Sequence, residues 1–278
     1  MLNPTSLLAD ALGRNLAETY ARTFGTREPQ YAAALDEAAR LVTERIASSD
    51  ALYHDAQHTA LVALCVQDIL RGRRLEKIVS PEDWVHCMLA ALTHDIGYVR
   101  GLLVEDDEDG FVIDVSGTRV SLPRGASDAS LMPYHVDRSK LYMQRRLEGF
   151  EVFNRERILS AIEGTRFPPR EGQEYDAEAS LLRAADFIGQ LGDPNYIRKA
   201  NALYYEFEEV GINRQLGYDS PADIVNRYPQ FYWNSVAPHI QTEIGYLNKT
   251  SSGRQWIANL YANVFRAEQE IKLSGPQH

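Results

Sequence analysis

Two short histidine motifs stand in the first half of the 278-residue chain. In the first, His54 and His58 are four residues apart, so that on a helix their imidazoles share one face. In the second, His94 and Asp95 are adjacent at the end of an apolar segment that predicts a buried helix. Adjacent helical side chains point about 100° apart, but they can converge where the chain leaves the helix, and Gly97 predicts that end. Imidazole and carboxylate groups brought together in this way are typical ligands of a divalent metal ion.

A later aspartate completes the candidate ligand set. Asp186 lies in an apolar segment that predicts a helix, where an unpaired carboxylate is costly to bury. Together with His58, His94 and Asp95 it gives a mixed nitrogen and oxygen set, which suits Mn²⁺, Fe, Zn²⁺ or Ni²⁺, with Mg²⁺ at a more oxygen-rich second position. A lone His-Asp dipeptide carries little information, whereas the four elements in order predict a site for one or two divalent ions.

The order of these motifs resembles the HD superfamily of metal-dependent phosphohydrolases, and especially the catalytic core of class I cyclic-nucleotide phosphodiesterases. The motifs are Tyr-His-x-x-x-His ending at His58, His-Asp-x-Gly beginning at His94, and Ala-Asp ending at Asp186. The resemblance covers about residues 53–196 and implies an all-α HD domain. It implies that His58, His94, Asp95 and Asp186 bind the metal, and that His54 is the general acid toward the leaving oxygen.

The sequence differs from those of HD-superfamily proteins in two places. The phosphodiesterases follow His-Asp with a further histidine and Pro-Gly, whereas residues 96–99 read Ile-Gly-Tyr-Val. The HD-GYP relatives place a histidine pair before Gly-Tyr-Pro, whereas residues 163–168 read Glu-Gly-Thr-Arg-Phe-Pro. HD relatives with two metals often place a histidine at the start of the helix that begins near His135. The resemblance therefore implies that His135 binds a second ion or a bridging water, and the alternative is a capping or surface histidine.

Cations near these motifs are candidates for binding the substrate. Arg138 and Lys140 fall in the first turn of a predicted helix, where a phosphate is favoured and a guanidinium can bind it with two hydrogen bonds. Arg166 stands in a comparable turn, and Gln190 follows Asp186 at a polar helix end, where it could border the pocket. The alternative for all of the cations is an ordinary solvated face.

The mechanism that the resemblance implies is attack of a metal-activated water on the phosphorus of a small-molecule ester, with a nucleotide or cyclic nucleotide as the expected substrate. His54 and Asp95 are its catalytic candidates. One alternative is a di-iron oxygenase, which needs a richer histidine set and would lack one where Thr165 stands. Guanosine-tetraphosphate hydrolases usually carry a signature near the His-Asp pair that this chain lacks. The last alternative is a non-catalytic, metal-containing regulatory module that binds nucleotides, although a structural metal needs no acid such as His54.

Composition and net charge indicate which kinds of molecule the chain could bind. The chain is 44% hydrophobic and 24% charged, as expected for a globular protein with a sizeable core. Its net charge of -10 argues against binding a nucleic-acid polymer, but it is compatible with a small phosphate ester held by local cations or a metal. Cys65 and Cys87 are expected to be buried packing thiols. We find no leader pattern and no apolar run of membrane-spanning length, and expect a soluble, cytoplasmic protein that could form a homodimer.

Helical periodicity before and after the motifs predicts an all-α fold, an HD-type helical bundle with a small β-hairpin insertion around residues 110–122. We expect a single domain over residues 1–278, with a catalytic core at about 50–200 and the helices of residues 1–49 and 201–278 packed around it. The acidic run at residues 105–109 is expected to be a solvated, mobile loop that binds no calcium. Residues 211–238 are expected to be turn-rich and aromatic.

Overall fold

The computed structural model describes residues 3–170 and 172–273, and helices dominate it. The helices are α1 (Pro4–Phe24), α2 (Gln30–Ile46), α3 (Ala56–Arg73), α4 (Pro81–Thr93), α5 (His135–Arg146), α6 (Arg155–Glu163), α7 (Ala177–Leu191), α8 (Tyr196–Glu209), α9 (Ile212–Leu216), α10 (Pro221–Phe231), α11 (Ala237–Leu247) and α12 (Ser251–Leu273). Strands β1 (Phe111–Val112) and β2 (Arg119–Val120) form an antiparallel hairpin. The predicted all-α class with a small β-hairpin is confirmed.

Capping side chains fix where the site-bearing helices begin. Asp55 caps α3 by accepting the backbone N–H of His58 at 2.8 Å. Ser80 begins α4 with a reciprocal capping box in which the side chains of Ser80 and Asp83 bond each other's backbone N–H groups. Asp176 caps α7 in the same general way. Each of these caps satisfies N–H groups that the first turn of a helix leaves unpaired.

The hydrophobic core is continuous from α1 to α12, and α3 lies in its middle. Helix α3 packs against α4, α7, α11 and α12. The predicted burial of both thiols is confirmed, since Cys65 and Cys87 are buried and unpaired. Among the residues described, no helix combines the length and the apolar character that crossing a membrane requires. The metal-ligand candidates thus lie on, or directly next to, helices that the core holds firmly.

The acidic run at residues 105–109 differs from its prediction. The side chain of Asp106 is fully buried and pairs with Arg138 at 2.9 Å. Asp107 pairs with Arg119 of the hairpin, although both remain partly exposed. The expectation of a solvated loop is therefore wrong for Asp106, because the insertion folds back and buries this carboxylate against α5.

The segment that follows the hairpin is also fastened to α8. Ser127 and Ser130 both donate hydrogen bonds to the carboxylate of Glu209, the second at 2.6 Å. Glu209 thereby ties the start of the 3-10 helix Asp128–Tyr134 to the last turn of α8. This contact brings α8 close to the segment that carries the metal-ligand candidates.

Residues 211–238 form helices where sequence analysis expected turns. Helix α10 has Pro221 in its first turn and a capping box formed by Ser220 and Asp223. Pro229 lies inside α10, and a π-helical turn follows over Tyr232–Val236. A proline removes one backbone donor from a helix, but the helical path continues through Pro229 into the π-helical turn.

Candidate metal centre

Three buried side chains, His58, His94 and Asp95, come together where α3 and the end of α4 meet. Their side chains are 3%, 0% and 4% exposed. Oδ2 of Asp95 lies 3.2 Å from Nε2 of His58 and 3.1 Å from Nε2 of His94. One ligand atom from each residue lies within 4.8 Å of the other two. This buried cluster could hold a metal ion.

Two further predicted ligands border this cluster. Asp186 on α7 places Oδ1 3.3 Å from Nε2 of His58 and 3.7 Å from Nε2 of His94. His135, the first residue of α5, places Nε2 3.7 Å from Oδ1 of Asp95. The two oxygens of Asp95 therefore face different histidines, Oδ2 toward His58 and His94 and Oδ1 toward His135.

Backbone contacts fix which imidazole nitrogen points into the cluster. Nδ1 of His94 lies 2.8 Å from the carbonyl oxygen of Ala91, and Nδ1 of His135 lies 2.5 Å from that of Met132. A carbonyl oxygen only accepts, so each Nδ1 carries the hydrogen and each neutral ring keeps its Nε2 lone pair for the cluster. Nε2 of His94 and Oδ2 of Asp95 are buried and lack a hydrogen-bond partner in the described residues. A cation bound between them would satisfy both atoms.

The spacing of these atoms fits a coordinated ion. Ligands about 2.1 Å from a common ion lie about 3.0–3.4 Å from one another in octahedral or tetrahedral geometry. The nitrogen–oxygen separations among His58, His94, Asp95 and Asp186 run from 3.1 to 3.7 Å. Burial lowers the pKa of His58, yet the nearby carboxylates of Asp186 and Asp95 raise it to about 10. The pocket therefore attracts a cation, and the residues present fit the predicted metal.

Gly97 is required by a close approach rather than by the end of a helix. Helix α4 has already ended at Thr93, and a β-carbon at position 97 would lie 1.9 Å from the carbonyl oxygen of His135. The N–H of Gly97 donates to Oγ of Ser139 at 2.9 Å, and that hydroxyl donates to the carbonyl of His94 at 2.7 Å. These contacts hold the first turn of α5, and with it His135, against the His-Asp motif.

His54 lies before α3 and not on it, because α3 begins at Ala56 with Asp55 as its cap. The prediction that His54 and His58 share a helical face is therefore wrong. The two rings are nevertheless neighbours, with centroids 5.6 Å apart. His54 thus borders the cluster by a different route from the one that the spacing predicted.

Glu206 on α8 sets the position of His54, and sequence analysis missed it. Oε2 of Glu206 lies 2.5 Å from Nδ1 of His54, and Oε1 accepts the backbone N–H groups of Tyr53 at 2.6 Å and His54 at 3.2 Å. The side chain of Glu206 is only 1% exposed. One available signal was its place on the same face of α8 as the apolar Ala200 and Leu203, where an unpaired glutamate is costly.

The pair of Glu206 and His54 favours the ionised form of both residues. Burial lowers the pKa of His54, but the charge and hydrogen bond of Glu206 raise it above its ordinary value. Burial raises the pKa of Glu206, but the charge of His54 and three hydrogen bonds hold it below its ordinary value. Because Nδ1 of His54 bonds Glu206, the Nε2–H of the imidazolium is left to donate elsewhere.

Tyr98 is stacked between His54 and His135. Its ring centroid lies 4.5 Å from each imidazole, with interplanar angles of 14° to His54 and 21° to His135. Tyr98 is 2% exposed and belongs to the 3-10 helix Ile96–Tyr98 that follows the His-Asp motif. One aromatic residue therefore fixes the ring planes of both histidines that border the cluster.

The guanidinium of Arg138 is not available to bind a substrate. Its side chain is fully buried, and its five N–H donors bond the carbonyls of Gly97, Val99 and Val112 and both oxygens of Asp106. The prediction that Arg138 binds a phosphate is corrected, because the guanidinium has no donor left. Its role is to fasten the insertion to α5.

The other predicted substrate residues lie nearer to solvent. Lys140 bonds Glu163 at 2.8 Å, and Arg166 bonds Glu163 at 2.5 Å and Asp137 at 2.7 Å. Lys140 and Arg166 thus lie beside the same two acidic residues, Glu163 and Asp137. Gln190 is partly exposed one helical turn beyond Asp186, on the same face of α7.

Comparison with known proteins gives one result at the level of the family. Residues 2–270 match the family described as Npun_R2479-like. The chain belongs to the Npun_R2479-like family. The matched range of this Npun_R2479-like chain includes the metal-ligand candidates together with His54 and Glu206. No curated protein and no solved structure matches the chain.

Proposed function

We propose that this protein is a metal-dependent hydrolase of small phosphate esters, of the HD type, with a nucleotide or cyclic nucleotide as its expected substrate. The observation that carries the proposal is the hydrogen-bonded pair of His54 and Glu206 beside a buried cluster that could hold a metal ion. A structural metal needs only ligands, whereas His54 is held at hydrogen-bond distance by Glu206 and is not one of the cluster's three residues. An imidazolium in that position suits protonation of a leaving group.

The ligand set of this proposal is His58, His94, Asp95 and Asp186, with His135 as a ligand of a second ion. A divalent ion here supplies Lewis acidity toward phosphoryl oxygens and a water of lowered pKa. The carboxylates that face the cluster accept hydrogen bonds from the attacking water and orient it. The fixed tautomers of His94 and His135 keep both Nε2 atoms available as ligands.

The proton for the departing oxygen comes from Nε2 of His54. Glu206 holds the opposite ring nitrogen and stabilises the imidazolium until the proton is transferred. Tyr98 keeps the ring in plane through stacking. Lys140 and Arg166 are proposed to offset phosphate charge, and Gln190 to border the substrate.

A substrate screen tests the proposal. The protein is reconstituted with Mn²⁺ and offered nucleoside mono-, di- and triphosphates, cyclic nucleotides and nitrophenyl phosphate. We expect metal-dependent hydrolysis of at least one ester, abolished in Asp95→Asn and retained in Asp109→Asn, which changes an exposed acid of the insertion. Failure of the metal-loaded protein to hydrolyse any ester in the panel would contradict the proposed activity.

A di-iron oxygenase is the second candidate, favoured by the two oxygens of Asp95 facing separate histidines. That geometry suits a carboxylate that bridges two ions. Iron-loaded protein that consumes oxygen with an organic substrate and hydrolyses no ester would favour this candidate over the first.

A further inference from the structure

Arg183 on α7 is a buried cation that has no acidic partner in the part of the chain that the structure describes. It is 7% exposed, and no ion pair to it occurs among the described residues. Its Nη1 donates to the hydroxyl of Tyr175 at 3.1 Å, while Nε is buried and unpartnered. The guanidinium carbon lies 5.2 Å from the ring centroid of Tyr175 and 5.4 Å from that of Phe187.

These contacts hold the guanidinium in place without neutralising it. Aromatic faces attract a cation, but more weakly than a carboxylate or a phosphate does at hydrogen-bond distance. Buried charges in proteins are usually paired or bound to a ligand, because removing a charge from water is costly. Arg183 is therefore preorganised for an anion that the described residues do not supply.

The position of Arg183 on α7 places it beside the candidate metal centre. Asp186 follows it by three residues, so the two side chains are neighbours on the helix surface. The face of α7 that packs on α3 is marked by Gly189, whose β-carbon would lie 3.1 Å from Val62. Arg183 lies on the flank next to that face.

An exposed aromatic ring adjoins the same flank. Phe167 is 55% exposed and meets the ring of Phe187 edge-on, with centroids 6.1 Å apart. Phe187 is the ring over which Arg183 is held. A cation and a solvent-facing aromatic ring therefore share one wall next to Asp186.

We propose that Arg183 binds a second anionic group of the substrate, beyond the phosphate that reacts at the metal centre. Phe167 then covers the apolar or aromatic part of the ligand beside its two anionic groups. The ligand class is a doubly phosphorylated compound with an aromatic portion, such as a nucleoside bisphosphate. This inference rests on the proposed phosphohydrolase function for the site of the first phosphate.

Binding measurements test the inference without requiring turnover. Calorimetry compares adenosine 3′,5′-bisphosphate with adenosine 5′-monophosphate on the wild type, Arg183→Met, Arg183→Lys and Arg170→Met. Methionine keeps the length of the side chain and removes its charge, and Arg170 is a 56% exposed cation that serves as the matched control. Thermal unfolding of each variant establishes that it is folded.

The wild type is expected to bind the bisphosphate about 10- to 100-fold more tightly than the monophosphate, as one charged hydrogen-bonding group allows. Arg183→Met should lose this preference, Arg183→Lys should keep part of it, and Arg170→Met should keep it in full. Equal affinities for the two nucleotides in the wild type, or an unchanged preference in Arg183→Met, would overturn the inference. If Arg183→Met does not fold, a partial preference in Arg183→Lys together with weaker binding of both nucleotides in Phe167→Ala supports the inference, while equal affinities in the wild type overturn it. Selective binding without hydrolysis would instead remove the proposed function and leave Arg183 as a binding residue.

Discussion

The chemistry proposed for this protein depends at the scale of single residues on His54. If His54 is the general acid, His54→Asn should lower turnover of an ester with a poor leaving group by about 10²–10⁴-fold. The defect should be much smaller on nitrophenyl phosphate, whose leaving group needs no proton. Metal content should stay at the wild-type level, because His54 is not part of the buried cluster. Equal rate losses on the two substrates, measured by steady-state kinetics, would show that His54 has no such role.

Glu206 permits a separate test through the pH profile. Its charge raises the pKa of His54, so the wild type should keep the acid protonated to a higher pH than an unassisted histidine would. In Glu206→Gln that pKa should fall, and the limb where kcat/KM declines with rising pH should move to lower pH. The variant keeps an amide oxygen for the backbone N–H groups that Glu206 now accepts. A limb that does not move would mean that Glu206 serves only the backbone.

The two residues also mark how far sequence reasoning reaches. His94 and Asp95 could be predicted because adjacent ligands at the end of an apolar helix form a local signal. Glu206 could not be assigned, because its partner His54 lies 152 residues away and α8 contains several glutamates. Arg138 misled the prediction because the start of a helix suggests a phosphate site, while its real partner, Asp106, stood in a run that looked solvated.

At the scale of elements, the pair of Arg138 and Asp106 joins the insertion to α5. Both side chains are fully buried, so Arg138→Met removes a donor from three carbonyls and leaves the carboxylate of Asp106 with only the backbone N–H groups of Leu103 and Val112. We expect a loss of about 3–5 kcal/mol in the free energy of unfolding. Arg145→Met is the control, because the pair of Arg145 and Glu105 is about half exposed and should contribute little to stability. Similar urea midpoints for the two variants would contradict this account of the clamp.

Glu163 at the end of α6 should make stability depend on acid. Burial raises its pKa, but hydrogen bonds from Arg166 and Lys140 and their charges lower it to about 2, from an ordinary 4.5. Because the pKa of Glu163 is lower in the folded chain than in the unfolded chain, the ionised carboxylate stabilises the fold. This contribution is complete above about pH 4.5 and is lost as pH falls toward 2. In Glu163→Gln the stability at neutral pH should be lower and its decline between pH 4.5 and 2 shallower. Denaturant unfolding measures both, with Glu156→Gln on the same helix as the exposed control, and a decline as steep as in the wild type would contradict the assignment.

The observed secondary structure agrees with the prediction where the apolar periodicity of the sequence is strong. The predicted helical bundle is confirmed, and the hairpin appears within its predicted range, with two residues in each strand. Residues 211–238 were misjudged because prolines and glycines usually interrupt helices. Here Pro221 lies in the first turn, where no donor is lost, and the helical path continues past Pro229 into the π-helical turn.

At the scale of the whole molecule, the site lies inside the structure that stabilises the fold. The ligand candidates lie on α3 and α7, directly after α4 and at the start of α5, and all four helices contribute to the continuous core. An ion that binds only the folded chain must therefore stabilise the whole protein, by about 2.7 kcal/mol at a concentration of 100 times its Kd. The same core explains how the carboxylate of Asp95 can be held 3.1–3.2 Å from the imidazoles of His58 and His94.

Metal analysis of the purified protein tests the central claim most directly. Inductively coupled plasma mass spectrometry of the wild type should find at least one divalent transition metal per chain, and after chelation Mn²⁺ should raise the temperature of unfolding. Asp95→Ala should lose both the metal and the shift, because Oδ2 of Asp95 faces both histidines of the cluster, whereas Asp109→Ala, which removes an exposed acid, should keep both. A wild-type protein that contains no transition metal and gains no thermal stability from Mn²⁺ would contradict the account.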